Sequence, residues 1–288
     1  GPPGGHTDLV SRPVVERLSA MLSQPAIIDY RPGGAGGALA LRAVTKSRAD
    51  GHTLLITSPG PMVVAPALYK DIGYDPLKDL APVATLFSVP QMLAVFPAVP
   101  ANTVQELVAY AKANPGTLNF ASPGYGAQPH LLGELFKRSA SVNIVHVPYK
   151  GVGPLLADLG GGRLQAFFSS ASAAIPQLKG NKFKPLAVTT PQRMTALPQV
   201  PTVAESGYPG FHAVAWFGLL APAATPAAAL TRLQQDSTHV IAMQDVRAKF
   251  IESGGEVVGN SPAEFAAQIK AEIASKGELV RSSGAKAN

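Results

Sequence analysis

Apolar residues along this chain keep changing their period, and each change marks a new element. Val10, Val14, Leu18, Met21 and Leu22 recur every three or four positions and share one helical face, while Thr53-Leu54-Leu55-Ile56-Thr57 runs at strand length. The same reading predicts a short buried strand at Ala26-Ile27-Ile28, an alanine-rich helix from Gly36 to Val44, and strands at Val83 to Leu86 and Met92 to Phe96. Further strands are expected at Leu118 to Ala121, Ile144 to Pro148, Leu164 to Phe168, Lys184 to Val188 and Val214 to Leu220. Between them lie helices at 130–138 and at Leu155 to Leu159 and a helical turn at Ala173 to Leu178, and the tail, 226–285, is mostly helical. Two helix starts carry a capping box, Thr103-Val104-Gln105-Glu106 and Ser261-Pro262-Ala263-Glu264, the second with proline at its first helical position. Such alternation predicts an α/β protein with mainly parallel sheets.

Residues 80–105 carry no charge, which raises the question of a membrane span. Prolines at 82, 90, 97 and 100 divide the run into strand-sized pieces, and Pro222 and Pro226 cut the uncharged segment from Ala213 to Thr231 in the same way. No spanning helix is expected. No signal-peptide pattern opens the sequence, as in a chain from which one has been removed. No period of about 20 to 50 residues repeats, so a solenoid is not expected. The uncharged stretches near 96 and 217 are the best candidates for crossings between two lobes.

With 288 residues, 46% of them hydrophobic, the chain can bury a sizeable core. Its net charge of +6 comes from scattered Lys and Arg without a basic stripe, so no nucleic-acid partner is expected and the surplus mildly favours small anions. The absence of cysteine excludes disulfides and thiolate metal sites, and the six histidines, at 6, 52, 130, 146, 212 and 239, form neither HExxH nor an i, i+4 pair. Neither a metal nor another cofactor is expected. There is no GxSxG, the one Ser-x-x-Lys (Ser283 to Lys286) lies in the terminal tail, and Asp8, Asp75, Asp79 and Asp158 show no acid–base pairing, so no catalytic residue is assigned. Asp8 reads instead as a charge favouring a helix N-terminus.

Two glycine-rich loops remain. The chain opens with Gly1-Pro2-Pro3-Gly4-Gly5-His6-Thr7-Asp8, and SPGYGAQPH occupies 122–130, each running into a helical period. A helix start leaves about four backbone N–H groups unpaired and carries roughly half a positive charge, and glycine lets an anion approach the backbone closely. One such loop alone reads equally as an ordinary strand-to-helix turn. Two of them, facing each other across a cleft, would each hold one end of a molecule with two anionic groups. Neither has the lysine of a phosphate-binding P-loop, and Gly124-Tyr125-Gly126 lacks the third glycine and following acid of a dinucleotide site, which favours carboxylate over nucleotide. His6 and His130 either donate to a ligand oxygen or satisfy a local backbone group.

PGGHTD at the start, YRPGGAGG at 30–37, ADGHTLLI at 49–56, PALYKDIGYDPLKDLAPV at 66–83, VHVPYKG at 145–151, LPQVPTVAESGYPGF at 197–211 and AWFGLLAPAATP at 215–226 together resemble the Bug (TctC) family. Its members are extracytoplasmic solute-binding receptors of tripartite tricarboxylate transporters. The resemblance implies a periplasmic, monomeric receptor of the two-lobed type II periplasmic-binding class, a Venus flytrap of two α/β lobes joined by two crossing strands. Lobe one would be 1–97 plus 220–288 and lobe two 98–219. It would close on a small carboxylate and deliver it to the membrane subunits of the transporter, without breaking a bond. In the family both glycine loops grip the ligand's proximal carboxylate, largely through backbone amides and ordered water. Carried over, the first loop supplies Gly5, His6 and Thr7, and the second Ser122, Tyr125, Gly126, Ala127, Gln128 and His130. Ser58 and the Trp216-Phe217 pair would line the cleft, although Trp216 reads better as a core aromatic.

Two departures from the family pattern matter. Relatives begin with a strand before the first glycine loop, which this sequence lacks. Relatives that bind amino acids place an acidic residue after the phenylalanine that corresponds to Phe168, where this chain has Ser169-Ser170-Ala171-Ser172. Hydroxyls suit a second carboxylate better than a ligand ammonium, and Tyr125 with Phe217 can sandwich a planar ring. A dicarboxylate is therefore expected, an aromatic one such as terephthalate ahead of an aliphatic one like adipate. The competing readings are a hydrolase or lyase on the same scaffold, which needs a nucleophile or base that is not visible, and a ligand-sensing effector module, which needs a helix-turn-helix segment that is not visible.

Overall fold

A computed structural model describes residues 6–31, 33, 37–122, 128–149, 164–178, 180, 182–252 and 254–282. In chain order these form α1 (His6–Leu22), α2 (Ala38–Thr45), β1 (Leu55–Thr57), a π-helical turn (Gly60–Val64), α3 (Ala65–Leu68), β2 (Leu80–Val95), α4 (Val104–Ala113), β3 (Asn119–Ser122) and α5 (Gln128–Ala140). There follow β4 (Val145–Pro148), β5 (Ala166–Ser170), α6 (Ala171–Leu178), β6 (Lys184–Val188), β7 (Val214–Pro222), α7 (Ala227–Ala242), α8 (Gln244–Glu252), β8 (Glu256–Val257) and α9 (Pro262–Ser282). The predicted helix at Leu155 to Leu159 and the Gly36 start of the second helix lie outside the described residues.

The chain divides into two compact units, Gly1–Ser88 with Trp216–Asn288, and Val89–Ala215. In the first, β1 pairs antiparallel with β7 (Leu55 opposite Leu220) and β2 antiparallel with β8 (Phe87 opposite Val257). Its core gathers Leu41, Met62, Trp216, Leu220, Phe265 and Ile269. In the second, the strands run in the order β6-β2-β5-β3-β4. There β3 is parallel to both β4 and β5, while Gln91 to Val95 of β2 run antiparallel to β5 and β6. The expectation of mainly parallel sheets is therefore corrected to mixed ones: β2 runs antiparallel to β5, β6 and β8, a direction no local period encodes.

The Ser261 capping box forms in full, while at Thr103 the Glu106 carboxylate reaches the residue before the cap. The Thr103 side chain accepts from the Glu106 N–H at 3.1 Å while Glu106 accepts from Asn102 N–H at 2.6 Å, and at the start of α9 the Ser261 and Glu264 side chains bond each other's backbone N–H. The prolines do not divide residues 80–95 as expected, since β2 is one strand running through Pro82 and Pro90. The ladder to β8 uses Phe87 and Ser88 and the ladders to β5 and β6 begin at Gln91 or beyond, so Pro90 interrupts neither. Ala26–Ile28 is not a strand and is not buried: it runs beside α1 without a ladder partner among the described residues, and Ile27 is 89% exposed. Apolar β-branched residues favour a strand only where another strand receives them.

Helix α5 lies close enough on β3 that a Cβ at Gly133 would stand 1.9 Å from the Phe120 ring, itself 1% exposed in the core. A mid-helix glycine forfeits about 1 kcal/mol against alanine, so this one is held by packing. Gly277, in α9, has nothing nearer than the mobile end of Arg281 at 3.4 Å. Gly133→Ala should lower the unfolding free energy by about 1–3 kcal/mol through overpacking, and Gly277→Ala should raise it by up to about 1 kcal/mol. Urea denaturation of both variants checks the opposite signs.

Candidate functional site

The parallel ladders of the second unit place the carboxyl ends of β3, β4 and β5 on one edge. Phe120 lies beside Ala166 and Ala121 beside Phe167, so Ser122 comes level with Phe168, and Ser169 and Ser170 reach just past it. Two helices begin at this edge: α5 opens at Gln128, five residues after β3, and α6 at Ala171, immediately after β5. Neither has an acidic residue in its first turn, so the partial positive charge of each start is not offset there. Ser169 and Ser170 are half-buried, as is Gln128. Ligands of α/β sheets bind at this kind of edge, and its groups offer hydroxyl, amide and backbone N–H donors with no ammonium-binding carboxylate on β5 or α6.

Two histidines lie behind it. His130, in the first turn of α5, is fully buried, and its ring stacks on that of His146 of β4 with centroids 4.1 Å apart. Nε2 of His146 is 2.7 Å from Oγ of Ser122, and the His146 ring is 5.0 Å from Phe120. Burial pushes the His130 pKa down to about 4, helped by the Lys137 charge. Burial, then His130 and Lys137, push that of His146 down to about 3. Both rings are neutral at neutral pH.

In the first unit, His6 opens α1 and Thr7 is half-buried, its carbonyl accepting from Ser11 Oγ at 2.6 Å. Asp8 is buried and accepts from Arg12 Nε at 3.0 Å and from the Tyr30 hydroxyl at 2.5 Å, so its charge is balanced beside the helix start it was expected to favour. Ser58 follows β1 and is half-buried. Trp216 is a core aromatic: it is fully buried, packs edge-on against Phe265 and donates its indole N–H to Glu272 at 3.0 Å. Phe217 is 6% exposed, with its ring 6.1 Å from that of Phe87. Gly5, Tyr125, Gly126 and Ala127 lie outside the described residues. Thus Ser122, Gln128, His130, Ser169 and Ser170 share one edge of one unit, and Thr7, Ser58 and Phe217 belong to the other.

The sequence profile described as tripartite tricarboxylate transporter family receptor matches residues 10–285. The chain belongs to this family. Protein BugT of Bordetella pertussis is 36% identical to this receptor-family chain over 286 residues, covering 99% of the chain and 87% of BugT. Among solved structures, Rpa4515 of R. palustris with adipate is 36% identical, covers 98% of this chain and 94% of its own, and superposes with a TM-score of 0.78. MatC (Rpa3494) of Rhodopseudomonas palustris with bound malate is 32% identical, covers 97% and 96%, and reaches 0.75. A ligand-free TctC solute-binding protein from Polaromonas, 24% identical, shares the fold at a TM-score of 0.87, covering 98% of this chain and 95% of its own. The fold is thus the expected α/β periplasmic-binding-protein type. Among the described residues no helix is long and apolar enough to cross a membrane, and no cluster of three or more potential metal ligands occurs.

Sequence reasoning passed over His146 and Thr189. His146 was read as one of six isolated histidines and as part of the strand and family motif at 145–151, with no role assigned; its meaning depends on the register that sets it beside Phe120. Thr189, just past β6, is fully buried, with its Oγ donating to the Ala213 carbonyl at 2.5 Å and accepting from Gln91 N–H at 3.2 Å. A lone threonine after a strand carries no signal of that kind.

The histidine pair makes stability depend on pH. Both folded pKa values lie below the ordinary 6.5, so the unfolded chain binds more protons as pH falls. Stability is complete above about pH 6.5 and is lost as pH drops toward about 4, by up to about 1.4 kcal/mol per pH unit for each histidine. The exposed carboxylates with lowered pKa, such as Asp75 and Glu264, lose their contributions only below their ordinary 3.8 and 4.5. Urea midpoints should therefore already decline between pH 6.5 and 5, and a flat profile there would contradict the assignment.

Proposed function

We propose that the protein is a periplasmic solute-binding receptor that captures a small dicarboxylate by closure of its two units and delivers it to the membrane subunits of a tripartite tricarboxylate transporter, without catalysing a reaction on it. The observation that carries this reading is the edge at Ser122, Gln128, Ser169 and Ser170, where two helix starts without acidic first turns meet neutral hydroxyls and an amide. An anion is favoured there, and a ligand ammonium finds no carboxylate on β5 or α6. Adipate and malate in the relatives Rpa4515 and MatC support a dicarboxylate. Of the two candidates, adipate has the better support: the aromatic sandwich that favoured terephthalate needs a ring face of Phe217, which is 6% exposed and packs beside Phe87.

Calorimetric titration with adipate, malate and terephthalate, with aspartate and lysine as controls, tests the proposal. Dicarboxylates should release heat, adipate binding tightest, and the amino acids should not bind. Preference for an amino acid would overturn the ligand class, and new product after prolonged incubation would overturn the non-enzymatic role.

A further inference from the structure

His146 joins two elements other than its own. From β4 it reaches the end of β3 through its 2.7 Å bond to Ser122 Oγ, and the start of α5 through its stack on His130 at 4.1 Å. Ser122 is the last described residue before segment 123–127, and His130 lies in the first turn after it. The strand end is tied a second time, since the Tyr149 N–H that follows β4 donates to the Ser122 carbonyl at 2.9 Å. The other charged groups facing the pair from α5 are Lys137 and Glu134, which are ion-paired with each other at 3.0 Å. Strand β4 is otherwise VHVP and β3 is NFAS, so neither adds a charge.

We propose that His146 is a positioning residue for anion binding, holding the first turn of α5 against the carboxyl end of β3 and so setting where that helix start points. The inference rests on the carboxylate reading above, but concerns a side chain that acts through Ser122 and His130. A helix start serves an anion only if its N–H groups converge on one place. A shift of the first turn by a fraction of a hydrogen-bond length weakens each of those bonds together. An imidazole can both bond a hydroxyl with one edge and stack with its face, which phenylalanine or glutamine can do only in part.

His146→Phe keeps a ring for His130 and removes the bond to Ser122, whereas His146→Gln keeps a polar partner for Ser122. With adipate as the titrant, His146→Phe should weaken binding about tenfold, the equivalent of one buried hydrogen bond, and His146→Gln should recover much of the loss. The double variant Ser122→Ala with His146→Phe should lose less than the sum of the two single-variant losses, because both changes break the same link. Unchanged adipate affinity in His146→Phe, whatever happens to its melting temperature, overturns the proposal, as do strictly additive losses. If the unaltered protein gives no heat with adipate or the other dicarboxylates, the receptor reading fails separately. Amide hydrogen exchange in the ligand-free protein then decides: His146→Phe should speed exchange at Tyr149 and at Leu132 and Gly133, both ends of the tie, and no change at either end overturns it.

Discussion

Because β5 pairs in parallel with β3, the polar residues that end these two strands emerge side by side, and the candidate edge of the second unit follows from that register. Had β5 run the other way, Ser169 and Ser170 would lie at the far edge from Ser122. The register works only if α5 returns tightly across β3, and Gly133 lets it do so by bringing the helix backbone onto the Phe120 ring. Phe120 in turn lies in the core with Leu118, Phe136 and Phe168, so the packing that orders the sheet also orders the helix start at its edge. Apolar burial supplies the energy, and register converts it into the placement of a few polar groups.

What the chain announces locally was legible, and what depends on distant pairing was not. The periodic face of Val10, Val14 and Leu18 is buried in α1, β6 spans Lys184–Val188 as read, and the caps at Thr103 and Ser261 form from residues three apart. Ala26–Ile28 has the composition of a strand, yet strand formation is a property of two segments, and no described residue pairs with this one. The direction of β2 was equally hidden. An apolar run looks the same whether its neighbours are parallel or antiparallel, and only the finished ladder distinguishes them.

Proline was misread for a related reason. Its missing N–H matters where a ladder or a helix requires a donor, and its φ is otherwise compatible with an extended chain. At Pro90, β2 passes from its ladder with β8 to its ladders with β5 and β6, which is where the absence of a donor costs least. The candidate site was legible to the same degree as the fold. Ser122 and Gln128 could be named from the glycine loop, and Ser169 and Ser170 from the family resemblance, but that His146 of β4 ties Ser122 to His130 is set by the ladder and by no local pattern.

The electrostatics of this edge also bear on what kind of grip it can exert. Lys137, the cation that influences the histidines, is occupied by Glu134, and the two imidazoles are neutral, so the described side chains at the edge bring no full positive charge to a ligand. Attraction from the described groups there comes from dipoles: N–H groups at helix starts, hydroxyls and an amide. Dipoles are directional and fade with misalignment faster than a full charge does, which makes geometry, and hence the His130–His146–Ser122 tie, a determinant of strength. A carrier that must release its cargo is better served by such a grip than by a buried ion pair, whose strength persists through small displacements.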